Sequence, residues 1–599
     1  MRIEEGFQPI PFSEKNAYLE DPVLPGLLRR VLPDSVHKEI EPDLERLGSD
    51  VLEVLRPLAS SASVSPPTLT QYDQWGRRID HLQTSEGWRK IKAISQTEGI
   101  PGIFYERTYN EHSRVYGFAK ILLMVGDTQE VFCPLSMTDG TARIIELLGK
   151  DALTRDVLPR LISRDPSKAF TAGQWMTERP GGSDVSLTET TAQSLGQEHP
   201  YGSKYSLTGI KWFSSATDSE VSVALARTGP ASSGSRALSL FLIPLRKPLF
   251  PDPNSKTQPS PISNNIFIHR LKNKIGTHAL PTAELSLQGT EGYLVSPLNQ
   301  GVKSITPVLN ITRVWSAITS IGHLRKCLSI ATAYSRVRAV RSGSQLLQDA
   351  PIHVAQLAQI NLLYRALTHL AFGVVRLLGK SECDVVTGEE GQRLRMLTPV
   401  LKAFCAEKAC AGMEEAMTAL GGAGYMEENG IGRAIRDGLV EKIWEGTVAV
   451  LALDLARSAQ NGEVLNAFTS WALSIIETVP ISLASQLDAP IKLLQEGLKA
   501  LPKAYTLPLH PLAPRPALIV VGYIASSIYL LEHALWAVET AQPTSGIDVE
   551  VFKRWVLEAG LQSAQEDLER AMTSNQERLD VDKAIVFGVR SGVKKKTKL

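Results

Sequence analysis

The spacing of apolar side chains divides the chain into stretches of different period. Up to about residue 170 they recur every three or four positions, which predicts helices over Leu24–Leu32, Leu44–Leu55 and Gly87–Ser95. Ser63-Val64-Ser65-Pro66-Pro67 and Tyr72-Asp73-Gln74-Trp75-Gly76 carry loop signals between them. Cys133-Pro134-Leu135-Ser136-Met137-Thr138 opens a further segment, whose Met and Thr read as core before they read as a pocket wall. From 171 to 298 the period becomes alternating. Strands are predicted over Tyr205–Ser215, Val221–Arg227, Ala237–Leu245, Asn265–His269 and Ala283–Leu287, with loops at Gly229–Ser235 and Pro251–Ser263. Short strands without intervening helices suggest a small β-barrel or sandwich.

Helical periodicity returns after residue 300, in long runs over Val302–Arg341, Ala355–Leu378 and Gly391–Leu420 that suit a four-helix bundle. Residues 460–599 are helical again, with a Pro-rich break over Leu501–Pro516. The expected fold class is therefore α+β, mainly α. Its domains are a helical 1–170, a β-domain 171–298, a bundle 299–459 and a further helical domain 460–599 with a basic tail.

Composition narrows the class. With 43% hydrophobic and 21% charged residues, 599 residues can bury several cores. Lys and Arg total 64 against 63 Asp and Glu, so net charge does not support a DNA partner, and the region after 460 is itself balanced. No apolar run reads as a membrane span; Ala517–Ala525 reads as a buried helix, and no membrane partner is expected. The five cysteines are scattered, Cys405 and Cys410 lack partners for a zinc site, and free thiols with no metal are expected. The N-terminus lacks a signal core and a basic presequence, which points to the cytoplasm. Thr597-Lys598-Leu599, behind Lys594-Lys595-Lys596, offers a peroxisomal alternative.

Candidate chemistry centres on Met176-Thr177-Glu178-Arg179-Pro180-Gly181-Gly182-Ser183-Asp184-Val185. Glycine lets a ligand approach the backbone, and Ser and Thr add hydroxyl donors. That suits a pyrophosphate or a flat heterocycle rich in acceptors; an ordinary turn has the same composition.

Three later segments fit it, and together they resemble the acyl-CoA dehydrogenases. Met176–Val185 is similar to that family's first flavin signature. The resemblance implies that Thr177 bonds the flavin's pyrimidine edge and Ser183 the pyrophosphate, with Met176 and Gly182 beside them. Lys211-Trp212-Phe213-Ser214-Ser215 resembles the second piece, which implies Phe213 over the isoalloxazine and Ser215 near flavin N5, with Ser214 also on the cofactor. Gly421-Gly422-Ala423-Gly424-Tyr425 resembles the glycine turn that meets the adenine end of FAD bound to a neighbouring subunit. Ile443-Trp444-Glu445-Gly446-Thr447 resembles the segment bearing the catalytic glutamate, with Trp444, Gly446 and Thr447 on the cofactor side. Phe7–Pro11, Tyr72–Arg78 and Arg270–Gly276 are similar to the AidB-like branch, the alkylation-response flavoproteins. The likeness covers residues 7–460.

It implies the acyl-CoA dehydrogenase fold, FAD as cofactor, an acyl-CoA substrate and a homotetramer built as a dimer of dimers. Glu445 is the implied base, and its place between Trp444 and Gly446 suits a desolvated carboxylate whose pKa rises. Some relatives carry the base just before a bundle arginine; here that position is Thr312, before Arg313, and Thr is no base at neutral pH. Arg313 either holds Glu445 ionised, contacts substrate, or forms a plain buried ion pair. Arg338 matches a family arginine at a neighbouring pyrophosphate, but Arg341-Ser342 replaces the usual Phe-Gly, Ala449 replaces a Gln or Asn, and Arg179-Pro180 stiffens the first signature. Three functions follow: an acyl-CoA dehydrogenase, a DNA-protecting AidB-like flavoprotein, or an acyl-CoA sensor that does not turn over. The electron acceptor and acyl chain length stay open.

Overall fold

The computed structural model describes residues 10–63, 65–250 and 264–588. Expectations placed on residues 7–9, Val64, Pro251–Ser263 and Lys594–Leu599 lie outside the described residues. Contacts divide the chain into two compact units, 1–450 and 451–599.

The first unit opens with α1 (Leu24–Val31) and α2 (Asp34–Asp50), the latter running through a π turn into α3 (Arg56–Ser63). Helix α2 begins ten residues before the predicted Leu44, since Asp34 suits a first helical turn and His37 and Ile40 already face the core. Next comes an antiparallel hairpin, β1 (Thr68–Tyr72) and β2 (Arg78–Gln83). The predicted loop at Tyr72–Gly76 is its turn, with Asp73 Oδ1 accepting from the backbone of Trp75 and Arg77 at 2.9 Å. The unit continues with α4 (Glu86–Thr97), α5 (Ile103–Glu106), α6 (Ser113–Met124), α7 (Phe132–Leu148), α8 (Asp151–Asp156) and α9 (Leu158–Leu161). Ser85 caps α4 through Trp88 N–H. Met137 and Thr138 on α7 are core; the partly exposed faces of that helix carry Cys133 and Ser136.

The β-region is a barrel of seven strands: β3 (Ala172–Trp175), β4 (Thr191–Ser194), β5 (Lys204–Ser215), β6 (Val221–Arg227), β7 (Leu238–Pro244), β8 (Ile266–Leu271) and β9 (Thr282–Leu294). Pairings β6–β7, β7–β9, β9–β5, β5–β4 and β4–β6 close a ring, with β3 parallel to β6 and β8 beside β9. Strand β6 is buried on both faces. Val221, Val223 and Leu225 pack with Ile144, Ile145, Leu153, Ile305 and Val308 of the helices, while Ala224 and Ala226 pack inside with Trp175, Phe241 and Leu285. This two-faced burial explains its continuous apolar run.

After the barrel come α10 (Gly301–Ser335), a small hairpin of β10 (Ala339–Val340) and β11 (Gln345–Leu346), then α11 (Pro351–Glu382), α12 (Gly388–Thr418), α13 (Ile431–Val440) and α14 (Val448–Ala459). Helix α10 is apolar nearly all round because α6, α7, α11, α12 and α13 surround it. It ends at Ser335, short of the predicted Arg341, since Arg341, Ser342 and Gly343 all take positive φ in the hairpin turn. Buried Val337 and half-buried Val340 had carried the apolar period past the true end.

In the second unit α15 (Glu463–Glu477), α16 (Ile481–Ala504), α18 (Ser545–Glu558) and α19 (Leu561–Thr573) pack on α17 (Pro514–Glu539), followed by α20 (Gln576–Phe587). Ala517–Ala525 lies in α17 and is buried. Against the expectation of no spanning run, α11 and α17 are long and apolar enough to cross a membrane by length and composition, and 83% of each apolar window is buried.

Candidate functional site

Two polar loops converge where the barrel meets the bundle. Buried Glu178 locks the first. Its Oε1 accepts from Lys211 Nζ at 2.6 Å, and its Oε2 accepts from the backbone N–H of Glu189 at 2.6 Å and Thr190 at 3.1 Å. Lys211 Nζ also donates to Leu225 O at 2.8 Å, and burial pushes its pKa down despite the carboxylate. Trp212 N–H donates to Thr177 O at 2.9 Å, which joins the Met176–Val185 loop to β5. Gly181 admits no side chain, because a Cβ would lie 2.2 Å from Asp184 O. Gly182, Ser183 and Asp184 are exposed beyond it.

The register of β5 against β9 shifts between Lys211 and Ser214, and the two aromatic residues between them share Lys272, with Arg179 of the loop also over Trp212. Phe213 is 51% exposed, and Lys272 Nζ lies 3.5 Å from the Trp212 ring centroid and 4.4 Å from that of Phe213. Ser215 Oγ pairs with Thr282 Oγ1 at 3.0 Å, while buried Ser214 Oγ has no hydrogen-bond partner. An exposed aromatic face, an adjacent ammonium, the hydroxyls of Thr177 and Ser215 and an orphaned buried hydroxyl fit an acceptor-rich planar heterocycle. FAD is such a group.

The second loop follows α13. Met176 packs against the buried cluster to which Ile305 and Val308 of α10 belong, and Val308 lies one turn before Thr312. Thr312 Oγ1 donates to Glu445 Oε2 at 2.7 Å, and Arg313 Nε donates to Glu445 O at 3.4 Å. Glu445 sits in left-handed backbone, φ 56°, followed by Gly446 at φ 102°. Burial raises the Glu445 pKa; the Thr312 hydroxyl and the charges of Arg313 and Lys402 oppose it. Lys402 on α12 donates to Gly446 O at 2.7 Å, and burial pulls its own pKa down to about 8. Trp444 Nε1 donates to Glu441 Oε2 at 2.6 Å, and Thr447 Oγ1 accepts from Val450 N–H at 3.4 Å at the start of α14.

The structure thus gathers Thr177 with Trp212, and Thr312 and Arg313 of α10 with Glu445 of the loop after α13, while Met176 shares a buried cluster with Ile305 and Val308 of α10. It places Arg338 apart, exposed beyond the end of α10. Gly421 and Gly422 form an exposed turn after α12, with no atom within 4 Å of either would-be Cβ. Sequence reasoning missed Glu178, Glu441 and Lys402. Only Lys402 carried a signal, a charge inside the apolar stretch Val400-Leu401-Lys402-Ala403-Phe404; Glu178 lies among polar residues and Glu441 ends an amphipathic helix. Among the described residues no group of His, Cys, Asp and Glu could hold a metal ion.

Comparison with known proteins agrees with this layout. Residues 7–166 match the family model described as the adaptive response protein AidB N-terminal domain, 173–290 the acyl-CoA dehydrogenase middle domain, and 299–460 the acyl-CoA dehydrogenase C-terminal domain. Acyl-CoA dehydrogenase family member 11 of Caenorhabditis elegans is 35% identical over 97% of this chain and 93% of its own. The putative acyl-CoA dehydrogenase AidB of Escherichia coli is 27% identical over 75% of this chain and 79% of its own. The crystal structure of Caenorhabditis elegans ACDH-11 in complex with C11-CoA superimposes with a TM-score of 0.86 at 33% identity, covering 98% of both chains. The chain belongs to the acyl-CoA dehydrogenase family, in its AidB-like branch.

Proposed function

We propose that the protein is an FAD-dependent acyl-CoA dehydrogenase that introduces an α,β double bond into an acyl-CoA thioester, with Glu445 as base. The observation that carries this reading is the carboxylate itself. It is buried enough to raise its pKa, held through Oε2 by Thr312, and reached by Arg313 and Lys402 through charge. Oε1 is left to take the α-proton, which the thioester carbonyl acidifies. When bound, FAD supplies the oxidant that accepts the β-hydride. Met176, Thr177, Gly182, Ser183, Phe213, Ser214 and Ser215 would hold its flavin and pyrophosphate, and Trp444, Gly446 and Thr447 would close the site from the bundle side.

The C11-CoA bound by the worm relative supports a medium-length acyl chain as the first substrate to try. The exposed turn at Gly421–Tyr425, where Tyr425 is 87% exposed, and exposed Arg338 support a site completed by a second copy, in a dimer or a dimer of dimers. Anaerobic mixing of the yellow protein with acyl-CoAs of graded length tests the reading. Bleaching of the flavin by one length class is the expected result. Binding without bleaching by any of them would leave a sensor, and no binding at all would remove both.

A further inference from the structure

Glu445 is a non-glycine residue in left-handed backbone, a conformation that persists only when its surroundings over-determine it. The surroundings come from three helices. On one side, Trp444 Nε1 donates to Glu441 Oε2 at 2.6 Å, and Ser316 Oγ of α10 donates to the same oxygen. On the other, Lys402 Nζ of α12 donates to Gly446 O at 2.7 Å. Glu441 is fully buried, and its Oε1 has no hydrogen-bond partner. It faces Lys402 from α12 and Glu130 from the segment before α7, and burial raises its pKa well above the usual carboxyl range. A buried carboxyl that serves only the core is costly, and here one of its bonds holds Trp444 while the other ties that anchor to Ser316 on α10.

We propose that Glu441 and Lys402 are positioning residues that clamp the 444–446 turn from both sides, so that the Glu445 carboxylate is held at Thr312 in the orientation proton abstraction needs. The clamp rests on the dehydrogenase reading only for its kinetic consequence. Its structural consequence stands by itself. Glu441→Gln keeps an acceptor for the indole N–H and the Ser316 hydroxyl, whereas Glu441→Ala removes it. Trp444→Phe removes only the donor on the other side of the same bond.

The test combines crystal structures of Glu441→Ala and Trp444→Phe with rapid-mixing flavin reduction by a C11 acyl-CoA for these two and Glu441→Gln. In the Ala and Phe variants Glu445 is expected to leave left-handed backbone or to lose its bond to Thr312. Reduction should slow by about 100-fold, the scale of an ångström's misplacement, with the half-saturating acyl-CoA concentration within about threefold of wild type. Glu441→Gln should stay near the wild-type rate. If Glu441→Ala does not fold, Trp444→Phe carries the test. A Glu445 that keeps both its backbone and its Thr312 bond in the variants that fold overturns the clamp, whatever the rates. If even the wild type is not bleached, the dehydrogenase reading falls, and the crystal structures still decide the clamp.

Discussion

Thr312 Oγ1 donates to Glu445 Oε2 at 2.7 Å, from the position on α10 that precedes Arg313. A hydroxyl donor stabilises the ionised carboxylate, and the Thr312 bond is the leading influence opposing the desolvation that raises the Glu445 pKa. A residue that cannot itself act as a base thereby sets the pH at which its neighbour can.

Thr312→Val removes that donor without changing the size of the side chain. The Glu445 pKa then rises further, because the leading influence opposing its desolvation is gone. The rate of flavin reduction depends on the ionised base, so its acid limb should move to higher pH. Thr312→Ser should leave the limb in place. A pH profile of reduction from pH 5 upward reads this, and an unmoved limb in the Val variant refutes it.

Lys211 and Glu178 form a buried ion pair beneath the first loop, and Glu178 also accepts two backbone N–H groups from the chain after it. Lys211→Met leaves the carboxylate buried without its cation and loosens the anchor of Thr177–Ser183. FAD affinity is expected to fall on the order of tenfold, about 1.4 kcal/mol. Fluorescence titration of the apoprotein with FAD measures it; an unchanged Kd would detach the ion pair from cofactor binding.

Stability of the first unit depends on Arg114. Fully buried, it donates to Glu382 Oε2 at 2.6 Å and Oε1 at 2.9 Å and to Asp139 Oδ1 at 3.0 Å, while Trp315 Nε1 donates to Asp139 Oδ2 at 2.8 Å. Arg114→Met strands two carboxylates and should cost about 3–5 kcal/mol. Denaturant unfolding followed through the tryptophans checks this. A loss below about 1 kcal/mol, the value of an exposed pair, contradicts it.

His323 Nε2 meets Glu130 Oε1 at 2.9 Å in a buried pair. Burial pushes the histidine down from 6.5 to about 4 and the carboxyl well above its usual range, and the folded pair holds one proton between its two groups. Between pH 4.5 and 6.5 the unfolded chain has His protonated and Glu ionised, and so binds one proton, as the folded pair does; the pair contributes no slope there. Above 6.5 the unfolded chain has released that proton and stability falls as pH rises. In Glu130→Gln the histidine acts alone: its depressed pKa makes stability fall as pH drops from 6.5 toward 4. The difference in Tm between wild type and Glu130→Gln across pH 4–7 should therefore widen on the acid side. A constant difference would mean that His323, without its partner, is not held below its ordinary pKa in the fold.

Much of this architecture can be read from period alone, and the failures have physical reasons. Strand Val221–Arg227 was legible residue for residue because both faces are buried and the apolar run is bounded by polar turns. Strands Ala172–Trp175 and Thr191–Ser194 were not, being four residues each with Gly173, Gln174 or Gln193 inside. The β1–β2 hairpin is polar and half exposed, so its turn residues hid the strands beside them. Glu445 stood out beside Trp444 and Gly446. Glu441, four residues earlier, looks like any acid at the end of an amphipathic helix, and its meaning comes from Ser316, 125 positions away in the chain.

The central claim is that Glu445 removes the α-proton. Glu445→Gln keeps the size of the side chain and an acceptor for Thr312, and removes the base. The measurement is the single-turnover rate of flavin reduction for wild type and Glu445→Gln, both loaded with FAD and saturated with the same C11 acyl-CoA. Unimpaired ligand binding with a rate lower by about 10²–10⁴-fold is the predicted result. Reduction of the Gln variant at the wild-type rate would contradict the account, because the proton would then leave by another route.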